Sequence, residues 1–403
     1  MNIFLGSIYP VQLMEDLKKR KQFVDYPADV FQHSLLKGLD EHIDGLQVVS
    51  SPVIKSPYNI VKDICRGYSF SHNSSNITKD LYVGTVSIPG MQMIVELSRV
   101  YRALKNGFKD VKQENNLIIY ALHSPFLLAA ALLKRKICTT CVVIPDLPEF
   151  MSGNVGFIRK LAKIIDGFFI NFCLKRMDCY VLLSPFMRDT LPIKNKPWVL
   201  MEGIYDTSTE ISNITKNKKR TILYTGNLSK RYGILELIEA FHQIDNDNYC
   251  LWICGDGDGK EDVLKMAEID KRIDYKGVAS HDDVLTLQRQ ATVLINPRSS
   301  KGEYTKYSFP SKTMEYLASG TPTIMCHLPA IPAEYDSFIF YIKDESVEGI
   351  KNKLIEICEK PDEELASFGK KASDFIKNEK NAVVQTGKII EMISKEVTSK
   401  SHQ

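Results

Sequence analysis

The chain has 403 residues, of which 44% are hydrophobic and 25% charged, so a disordered or low-complexity protein is excluded for most of its length. This length favours two domains, because a single hydrophobic core rarely exceeds roughly 250 to 300 residues. The net charge of only +3 argues against a protein whose main task is to bind nucleic acid.

The cysteines predict neither disulfides nor a metal site. There are nine, an odd number, and their spacing along the chain is irregular. Cys138 and Cys141 form a CxxC motif without the second pair of ligands that a zinc site needs. We expect reduced core thiols, as in cytosolic proteins.

The start of the chain lacks the features of a signal peptide, and the longest apolar run, residues 121–133, is too short to span a bilayer. We therefore expect a soluble or peripheral protein.

Strands alternate with helices in the first half of the sequence. Short apolar runs that end at turn residues predict strands at residues 2–5, 117–122, 140–144 and 179–183. Such alternation favours a parallel sheet with helices on both faces. The polar segment 206–220 (DTSTEISNITKNKKR) is the best candidate for an interdomain linker.

The alternation restarts after this linker. Strands are predicted at residues 221–225, 249–254, 273–275, 293–296 and 323–325, and helices at 234–243, 282–291 and 311–319. We therefore predict an α/β protein with an N-terminal domain (1–205), a C-terminal domain (206–385) and a C-terminal helix or tail (386–403) that could pack back on the N-terminal domain. Open parallel sheets bind ligands beyond the carboxyl ends of their strands, so we expect the active site in a cleft between the two domains.

The segment around the last predicted helix has the features of an anion site. Its polar residues are Ser308, Ser311, Lys312 and Glu315. Free N–H groups of a first helical turn capped by Ser311, with the charge of Lys312, suit a diphosphate. Glu315, one turn further on the same face, could accept two hydroxyl hydrogens from a ribose. An ordinary capped helix with a solvated Glu315 explains the segment equally well.

The loop at residues 226–233 (GNLSKRYG) follows a predicted strand and precedes a helix. Glycine at both ends and two adjacent cations, Lys230 and Arg231, suit a phosphate group. The loop is neither a P-loop nor a GxGxxG motif. Taken alone, it is explained more simply as a basic loop that faces solvent.

A series of motifs runs through the second half of the chain: YTGNLSKRYGILELIEAF, WICGDGDG, YKGVASHDDV, ATVLINPRSS and FPSKTMEYLASGTPTI. From about Thr221 to Ile342 the series closely resembles the nucleotide-binding half of glycosyltransferase family 4, and most of all the bacterial branch that builds surface polysaccharides. The resemblance is weaker over residues 1–205. It implies the GT-B architecture, with two Rossmann-like, doubly wound domains facing across a cleft, and a retaining glycosyl transfer.

The resemblance also implies a donor site, and its residues here would be Gly226, Asn227, Gly255, Asp256, Gly277, Val278, Ser308, Ser311, Lys312 and Glu315. Lys230 or Arg231 would hold the departing diphosphate, and the sequence leaves that choice open. The family often has arginine where this chain has Asn227. It also often has a glutamate at the position of Tyr307, so the contact with the donor sugar falls to Tyr307 or to the nearby Glu303.

In the first half, His123 matches a family histidine near the reacting sugar, although a packed structural histidine is the alternative. It joins Lys230 and Arg231 as a candidate catalytic residue. Gly6 and Ser7 resemble the acceptor-side glycine loop. Asp146 is either the base for the acceptor hydroxyl or a turn cap, and Glu149 is expected to be a cap. Glu202 and Gly203 precede the linker, where a hinge role and a cleft role are both open.

The implied chemistry needs no metal or other cofactor, because helix N-termini and cationic side chains can stabilise the diphosphate. The donor would be a nucleotide sugar, most often UDP- or GDP-linked, and the acceptor a glycan on a polyprenyl-diphosphate lipid. The apolar segment 156–176, with basic residues near its ends, is either a buried helix or a surface that rests on an anionic membrane, and the membrane is favoured. These features imply a cytoplasmic protein, peripheral at the inner face of the cytoplasmic membrane, with no nucleic-acid partner. The alternatives are a sugar-nucleotide epimerase, which the motifs argue against, and a catalytically silent partner of a transferase complex.

Overall fold

The computed structural model describes residues 1–52, 54, 66–73, 79–86, 91–109, 115–147, 157–193, 195–206 and 214–401. The chain divides into an N-terminal unit, Met1–Ile204 with Ala382–Gln403, and a C-terminal unit, Tyr205–Asn381. The first division lies one residue from the predicted boundary. The second lies four residues before the predicted one, so residues 382–385 belong to the N-terminal unit and not to the C-terminal domain.

The described part of the N-terminal unit contains one sheet of eight strands. They are β1 (Asn2–Gly6), β2 (Gln47–Ser50), β3 (Tyr68–Phe70), β4 (Asp80–Tyr82), β5 (Asn116–Tyr120), β6 (Thr139–Ile144), β7 (Cys179–Leu182) and β8 (Trp198–Leu200). Their order is β3-β4-β2-β1-β5-β6-β7-β8, and the pairs are parallel apart from β3 with β4. The four strands predicted from apolar runs are present as β1, β5, β6 and β7. These four are consecutive neighbours in the sheet.

Helices flank this sheet. They are α1 (Val11–Lys19), α2 (Tyr26–Asp40), α3 (Gln92–Gly107), α4 (Ser124–Leu132), α5 (Phe157–Leu174), α6 (Met187–Thr190) and α13 (Ala382–Ser401). The C-terminal helix α13 buries Ile389 and Met392 in the core of the N-terminal unit, against Leu35 and Leu39 of α2. The end of the chain therefore completes the N-terminal unit.

The C-terminal unit is built on a parallel sheet. Its strands are β9 (Arg220–Asn227), β10 (Tyr249–Asp256), β11 (Ile273–Gly277), β12 (Val293–Asn296), β13 (Thr323–Cys326) and β14 (Phe340–Ile342). Their order among the described residues is β11-β10-β9-β12-β13-β14. This is the Rossmann order, in which the chain direction across the sheet reverses between the first and fourth strands of the unit, here β9 and β12.

The helices of this unit are α7 (Ile234–His242), α8 (Lys260–Ile269), α9 (His281–Gln290), α10 (Lys312–Ala318), α11 (Val347–Cys358) and α12 (Asp362–Glu379). Helix α7 shows why the sequence folds this way. Its apolar residues Ile234, Leu237, Ile238 and Phe241 recur at helical spacing, and all four are buried in the core. That stripe fixes α7 to the sheet and so fixes the start of the helix beside the end of β9.

The predicted linker is shorter than residues 206–220. Strand β9 already begins at Arg220, and the ammonium group of Lys216 is hydrogen-bonded to the C-terminal unit, although the residue as a whole is exposed. Its ammonium group donates to the carbonyl oxygen of Ala291 at 2.7 Å and to Thr321 Oγ1 at 2.8 Å. Desolvation of this ammonium group lowers the pKa of Lys216 to about 8. The polar composition that suggested a linker therefore belongs partly to an anchoring segment.

None of the helices in the described ranges is both long enough and apolar enough to cross a lipid bilayer.

Replacement of Gly38 by alanine tests the packing of α13 on α2. A Cβ atom at Gly38 would lie 2.2 Å from the carbonyl oxygen of Ala382, a backbone atom that cannot rotate away. We expect Gly38→Ala to lower the free energy of unfolding by about 1–3 kcal/mol, the usual cost of overpacking. Chemical denaturation measures this change.

The matched control is Gly167→Ala in α5, where a Cβ atom would meet nothing within 4 Å. Here alanine should stabilise the helix by about 0.5–1 kcal/mol, because it restricts the unfolded chain. Equal effects of the two substitutions would contradict the close contact between α2 and α13.

Candidate functional site

The C-terminal unit brings two glycines together at the carboxyl ends of neighbouring strands. Gly226 of β9 and Gly255 of β10 are register partners. Both have positive φ angles, 142° and 145°, which side chains rarely tolerate. A Cβ atom at Gly255 would lie 1.8 Å from the carbonyl oxygen of Gly226. The two predicted donor-site glycines therefore leave this end of the sheet without side chains, so that a ligand can approach the backbone.

Hydrogen bonds hold the loop after β9 against the loop after β10. The N–H of Leu228 donates to the carbonyl oxygen of Asp256 at 2.9 Å, and the N–H of Lys230 donates to Asp258 Oδ1 at 3.0 Å. The carboxylate of Asp256 is largely exposed and accepts from the N–H of Gly257 at 3.0 Å. Asn227 is exposed at the end of β9. These loops form an ordered edge with their polar groups accessible.

The two candidate cations of the loop have different surroundings. Lys230 Nζ lies 2.8 Å from Asp262 Oδ2, and this hydrogen bond raises the pKa of Lys230. The guanidinium of Arg231 instead stacks on Tyr304, with Cζ 3.7 Å from the ring centre. A stacked guanidinium keeps its N–H donors free for an anion, whereas Lys230 already has a carboxylate partner. The geometry therefore favours Arg231 as the phosphate ligand.

Glu315 lies on the short helix α10 and is held on two sides. Its Oε1 accepts from Lys312 Nζ at 2.7 Å and from Gln288 Nε2 at 2.5 Å. Its side chain is only 18% exposed, so Glu315 is not the solvated surface acid of the alternative interpretation. The ammonium group of Lys312 is directed at this carboxylate, and the pair leaves the other carboxylate oxygen for a ligand hydroxyl.

The prediction that Ser311 caps this helix is wrong. Ser311 has helical dihedral angles, φ −54° and ψ −31°, and its side chain makes no capping hydrogen bond. A cap needs an extended backbone so that its oxygen can reach the N–H groups, and the turn that begins at Pro310 prevents this. At the other end of the helix, Gly320 has φ 77°, and its N–H donates to the carbonyl oxygen of Leu317.

The other predicted donor residues surround the same edge of the sheet. Gly277, with φ 73°, ends β11, and the next residue, Val278, is 72% exposed. Ser308 is partly buried ahead of α10. Glu303 begins a 3-10 turn, Glu303–Lys306, and is exposed, while the N–H of Tyr307 donates to the carbonyl oxygen of Tyr304.

In the N-terminal unit the chain direction reverses between β1 and β5. The acceptor-side candidates Gly6 and Ser7 lie at the end of β1, and Asp146 follows β6. Gly6 ends β1 and has no room for a side chain, because a Cβ atom would lie 2.5 Å from Gln32 Oε1. Gln32 accepts from the N–H of Ser7 at 2.8 Å and donates to Ser7 Oγ at 3.1 Å. This contact fixes the loop after β1.

His123 follows β5 and starts α4. Its Nε2 lies 3.0 Å from Glu96 Oε2, at an angle outside hydrogen-bond geometry, so the contact becomes an ion pair when the histidine is protonated. Glu96, from α3, is buried and accepts from Ser51 Oγ at 2.7 Å. The ring of His123 also meets the edge of Phe126. The histidine is therefore packed on one side, yet 31% of its side chain remains exposed.

Asp146 lies at the carboxyl end of β6. Desolvation of the carboxyl by neighbouring protein atoms, with a smaller contribution from the negative charge of Asp25, raises the pKa of Asp146 to about 6, although the residue as a whole is exposed. A carboxyl with such a pKa can exchange a proton near neutral pH, as a general base or acid must. Glu149 lies outside the described residues. Glu202 is buried, and the carbonyl oxygen of Gly203 accepts from Gln385 Nε2 at 2.8 Å, which ties this segment to α13.

Comparison with solved structures identifies the architecture. A sucrose-phosphate synthase from Thermosynechococcus elongatus aligns with 97% of this chain and 98% of its own, with a TM-score of 0.61 at 14% identity. HepE from Anabaena, solved with UDP, aligns over 98% and 100% with a TM-score of 0.63 at 12% identity. A Rickettsia africae glycosyltransferase covers 98% of both chains with a TM-score of 0.61 at 12% identity. The fold is GT-B.

The predicted fold class is thus confirmed. Residues 206–381, which make up almost all of the C-terminal unit, match the family model described as glycosyl transferases group 1. This match and the GT-B fold together support the predicted transferase. A comparison with functionally characterised sequences gave no significant match.

Sequence reasoning missed three residues of these GT-B units. Ser51 and Glu96 form contacts with each other and with the His123 region across long sequence separations, which no local pattern indicates. Arg298 is the second residue after β12, and its guanidinium lies beside the ring of Tyr304. Its position after a predicted strand, at the end where ligands bind, was the signal that could have identified it.

Asp146→Asn should stabilise the protein in a pH-dependent manner. The folded-state pKa of about 6 exceeds the ordinary value of 3.8, so ionisation of Asp146 costs folding free energy as the pH rises through this window. Below pH ~4 both states carry the proton and the variant should match the wild type. Above pH ~6 the variant should melt slightly higher, by less than the whole pKa shift implies, because water screens the charge of this exposed side chain.

Thermal unfolding between pH 4 and 8 measures this difference. Asp44→Asn serves as the comparison, because it removes the same negative charge from another exposed aspartate. A stability difference between Asp146→Asn and wild type that is constant over this range would contradict the raised pKa of Asp146 in the folded protein.

Proposed function

We propose that the protein is a retaining glycosyltransferase of family 4 that uses a nucleotide sugar. It would extend a lipid-linked glycan in the synthesis of a bacterial surface polysaccharide. The observation that carries the proposal is the paired Gly226 and Gly255 beside the stacked Arg231, at the point of the sheet where Rossmann folds bind nucleotides. HepE, which shares the GT-B fold, was solved with UDP, and this supports a UDP-linked donor ahead of a GDP-linked one.

Different residues of the C-terminal unit would bind different parts of the donor. The backbone at Gly226 and the guanidinium of Arg231 would bind the diphosphate, and Glu315 would accept hydroxyl hydrogens from the ribose. Gly277 and Val278 would meet the base through backbone groups. Charge develops on the diphosphate as its bond to the sugar breaks. Fixed donors stabilise that charge without reorganisation, so the proposal needs no metal.

The N-terminal unit would supply the acceptor side. In a retaining transfer the acceptor hydroxyl attacks from the face that the diphosphate leaves. His123, held beside Glu96, would bind a sugar hydroxyl near the reacting carbon. Asp146, with its raised pKa, would take part in proton transfer from the acceptor hydroxyl.

A thermal-shift screen tests the donor site. A diphosphate that binds only the folded protein raises its melting temperature by mass action. We expect UDP, among UDP, GDP, ADP and CMP, to raise it by several degrees, equally with and without EDTA. In Arg231→Ala the affinity should fall about 10- to 100-fold, whereas Lys230→Ala, which loses a cation already paired with Asp262, should keep most of it.

Two results would argue against this proposal. If no nucleotide raises the melting temperature of the folded protein, the proposed donor site is contradicted. If EDTA abolishes the rise, the proposal that binding needs no metal is contradicted. Turnover then separates the transferase from a catalytically silent partner, the alternative that Tyr307 favours. A transferase releases UDP from its donor and loses this activity in Glu315→Gln, whereas a silent partner binds UDP without turnover.

The exposed face of α5 supports the membrane part of the proposal. Its apolar residues with exposed side chains are Leu161, Ile164, Ile165, Phe168, Phe169 and Phe172. They recur at helical spacing and form one continuous stripe, so the alternative of a fully buried helix is wrong. Lys163, Lys175 and Arg176 are exposed on or just after this helix, which suits an interface with anionic lipid.

Vesicle co-sedimentation tests this surface. We expect the protein to bind vesicles that contain anionic lipid, and the double substitution Ile164→Ser with Phe168→Ser to weaken binding about tenfold or more. Binding should weaken because the variant loses two apolar side chains that would enter the lipid, Ile164 (63% exposed) and Phe168 (70% exposed). Ile269→Ser, at a position 69% exposed in the C-terminal unit, is the control. Equal binding of all three proteins would contradict the proposal.

A further inference from the structure

We infer that Arg298 is a second phosphate-binding guanidinium of the donor site, supplied by the strand opposite the glycine loop. The inference rests on the proposed nucleotide-sugar donor. It adds a ligand from outside the loop after β9. It follows from the position of Arg298 and from the contact of its guanidinium with two tyrosine rings. It follows also from a buried Nε without a hydrogen-bond acceptor.

The position of Arg298 places it across the reversal point of the sheet from Gly226. Arg298 is the second residue after β12, and β12 is the neighbour of β9. The loops after these two strands are in direct contact, because a Cβ atom at Gly233 would lie 2.4 Å from the carbonyl oxygen of Pro297. Gly233, with φ 80°, is required for this contact. Arg298 therefore starts beside the glycine loop.

Aromatic rings hold the guanidinium at that point. The Cζ of Arg298 lies 5.0 Å from the ring centre of Tyr232, in the glycine loop, and 4.9 Å from that of Tyr304. Tyr304 is the same ring that supports Arg231. One tyrosine thus positions two guanidinium groups, one from each loop. Rings fix the planes of these groups and leave their N–H edges open to a ligand.

Two like charges on one ring repel each other, and no carboxylate among the described residues lies close enough to pair with either. Within the ranges that the structure describes, neither Arg231 nor Arg298 forms an ion pair within 4.0 Å of an acidic group. The acid of the neighbouring loop, Glu345, is occupied by Ser299 Oγ at 2.6 Å and by the N–H of Ser300 at 3.0 Å. An anion between the arginines would supply the missing counter-charge.

Arg298 also has a donor without a partner. Its Nε is buried and makes no hydrogen bond. A buried N–H group without an acceptor is unfavourable, and native proteins seldom retain one without a ligand or a functional reason. A phosphate oxygen can accept from this Nε and from a terminal nitrogen of the same guanidinium together, in the bidentate arrangement for which arginine is suited. The ligand class is therefore the diphosphate of a nucleotide.

The loop sequence gives a reason for a cation from this second strand. The residue after the first loop glycine is Asn227, which carries no charge, and Lys230 is paired with Asp262. Arg231 alone would leave one side of a diphosphate without a cationic ligand. Arg298 approaches from that other side, so the two strands at the reversal point each contribute one guanidinium.

Binding measurements on four proteins test the inference: wild type, Arg298→Ala, Arg298→Lys and Lys301→Ala. Calorimetry measures the affinity for UDP. We expect Arg298→Ala to weaken UDP binding about 10- to 100-fold and to leave uridine binding, followed by saturation-transfer NMR, unchanged. Arg298→Lys should recover only part of the affinity, because lysine keeps the charge but not the fork. Lys301→Ala removes an exposed cation from the same loop and should bind UDP like the wild type.

The outcomes separate this inference from the proposed function. Equal UDP affinity of wild type and Arg298→Ala would overturn the role of Arg298 and leave the donor site intact. No UDP binding by the wild type would overturn the proposed function itself. An equal loss of UDP and uridine binding in the folded Arg298→Lys variant would assign Arg298 a structural role and overturn the inference.

Discussion

The close approach of β9 and β10 at Gly226 and Gly255 is the constraint on which the rest of the C-terminal unit depends. The two strands meet so closely that a single methyl group at Gly255 would overlap the backbone of its neighbour. Two glycines in positive φ then turn both chains away from the sheet. The loop that follows β9 can therefore lie on the loop that follows β10, where the N–H of Leu228 donates to the carbonyl oxygen of Asp256.

The distribution of charge around this edge separates cations that are paired with carboxylates from cations that are stacked on aromatic rings. Lys230 and Lys312 each have a carboxylate within 2.8 Å, and the pairs join the loop to α8 and position Glu315 on α10. Arg231 and Arg298 contact aromatic rings instead. Ring stacking fixes a guanidinium without neutralising it, so the positive charge of the site is concentrated in the two arginines at the reversal point of the sheet.

Much of this architecture follows from local sequence. Strands with four or more apolar residues were predicted closely, because burial on both faces leaves a continuous hydrophobic run. The predicted bounds of β6 and β9, for example, lie within two residues of the observed ones. The three-residue strands β3, β4, β8 and β14 were not predicted, since their pairing depends on neighbouring strands and leaves no pattern in so short a segment. The glycines of the site were found because a positive φ demands a residue type that the sequence displays.

The side-chain contacts could be predicted less well. The Ser311 cap failed because capping depends on a backbone conformation that the preceding turn decides, and the composition of the segment does not report it. Glu96 meets His123 only because α3 and the end of β5 are neighbours in space. Arg298 was overlooked because its role depends on Tyr304 and on a loop some seventy residues earlier, and only the order of strands brings these together.

A crystal structure of the protein with UDP is the measurement that tests the central claim most directly. The account predicts the diphosphate beside Gly226, with phosphate oxygens within hydrogen-bond distance of both guanidinium groups, Arg231 and Arg298, and with Lys230 still paired with Asp262. A diphosphate bound by Lys230, with Arg298 turned away from it, or UDP bound outside the C-terminal unit, would contradict the account.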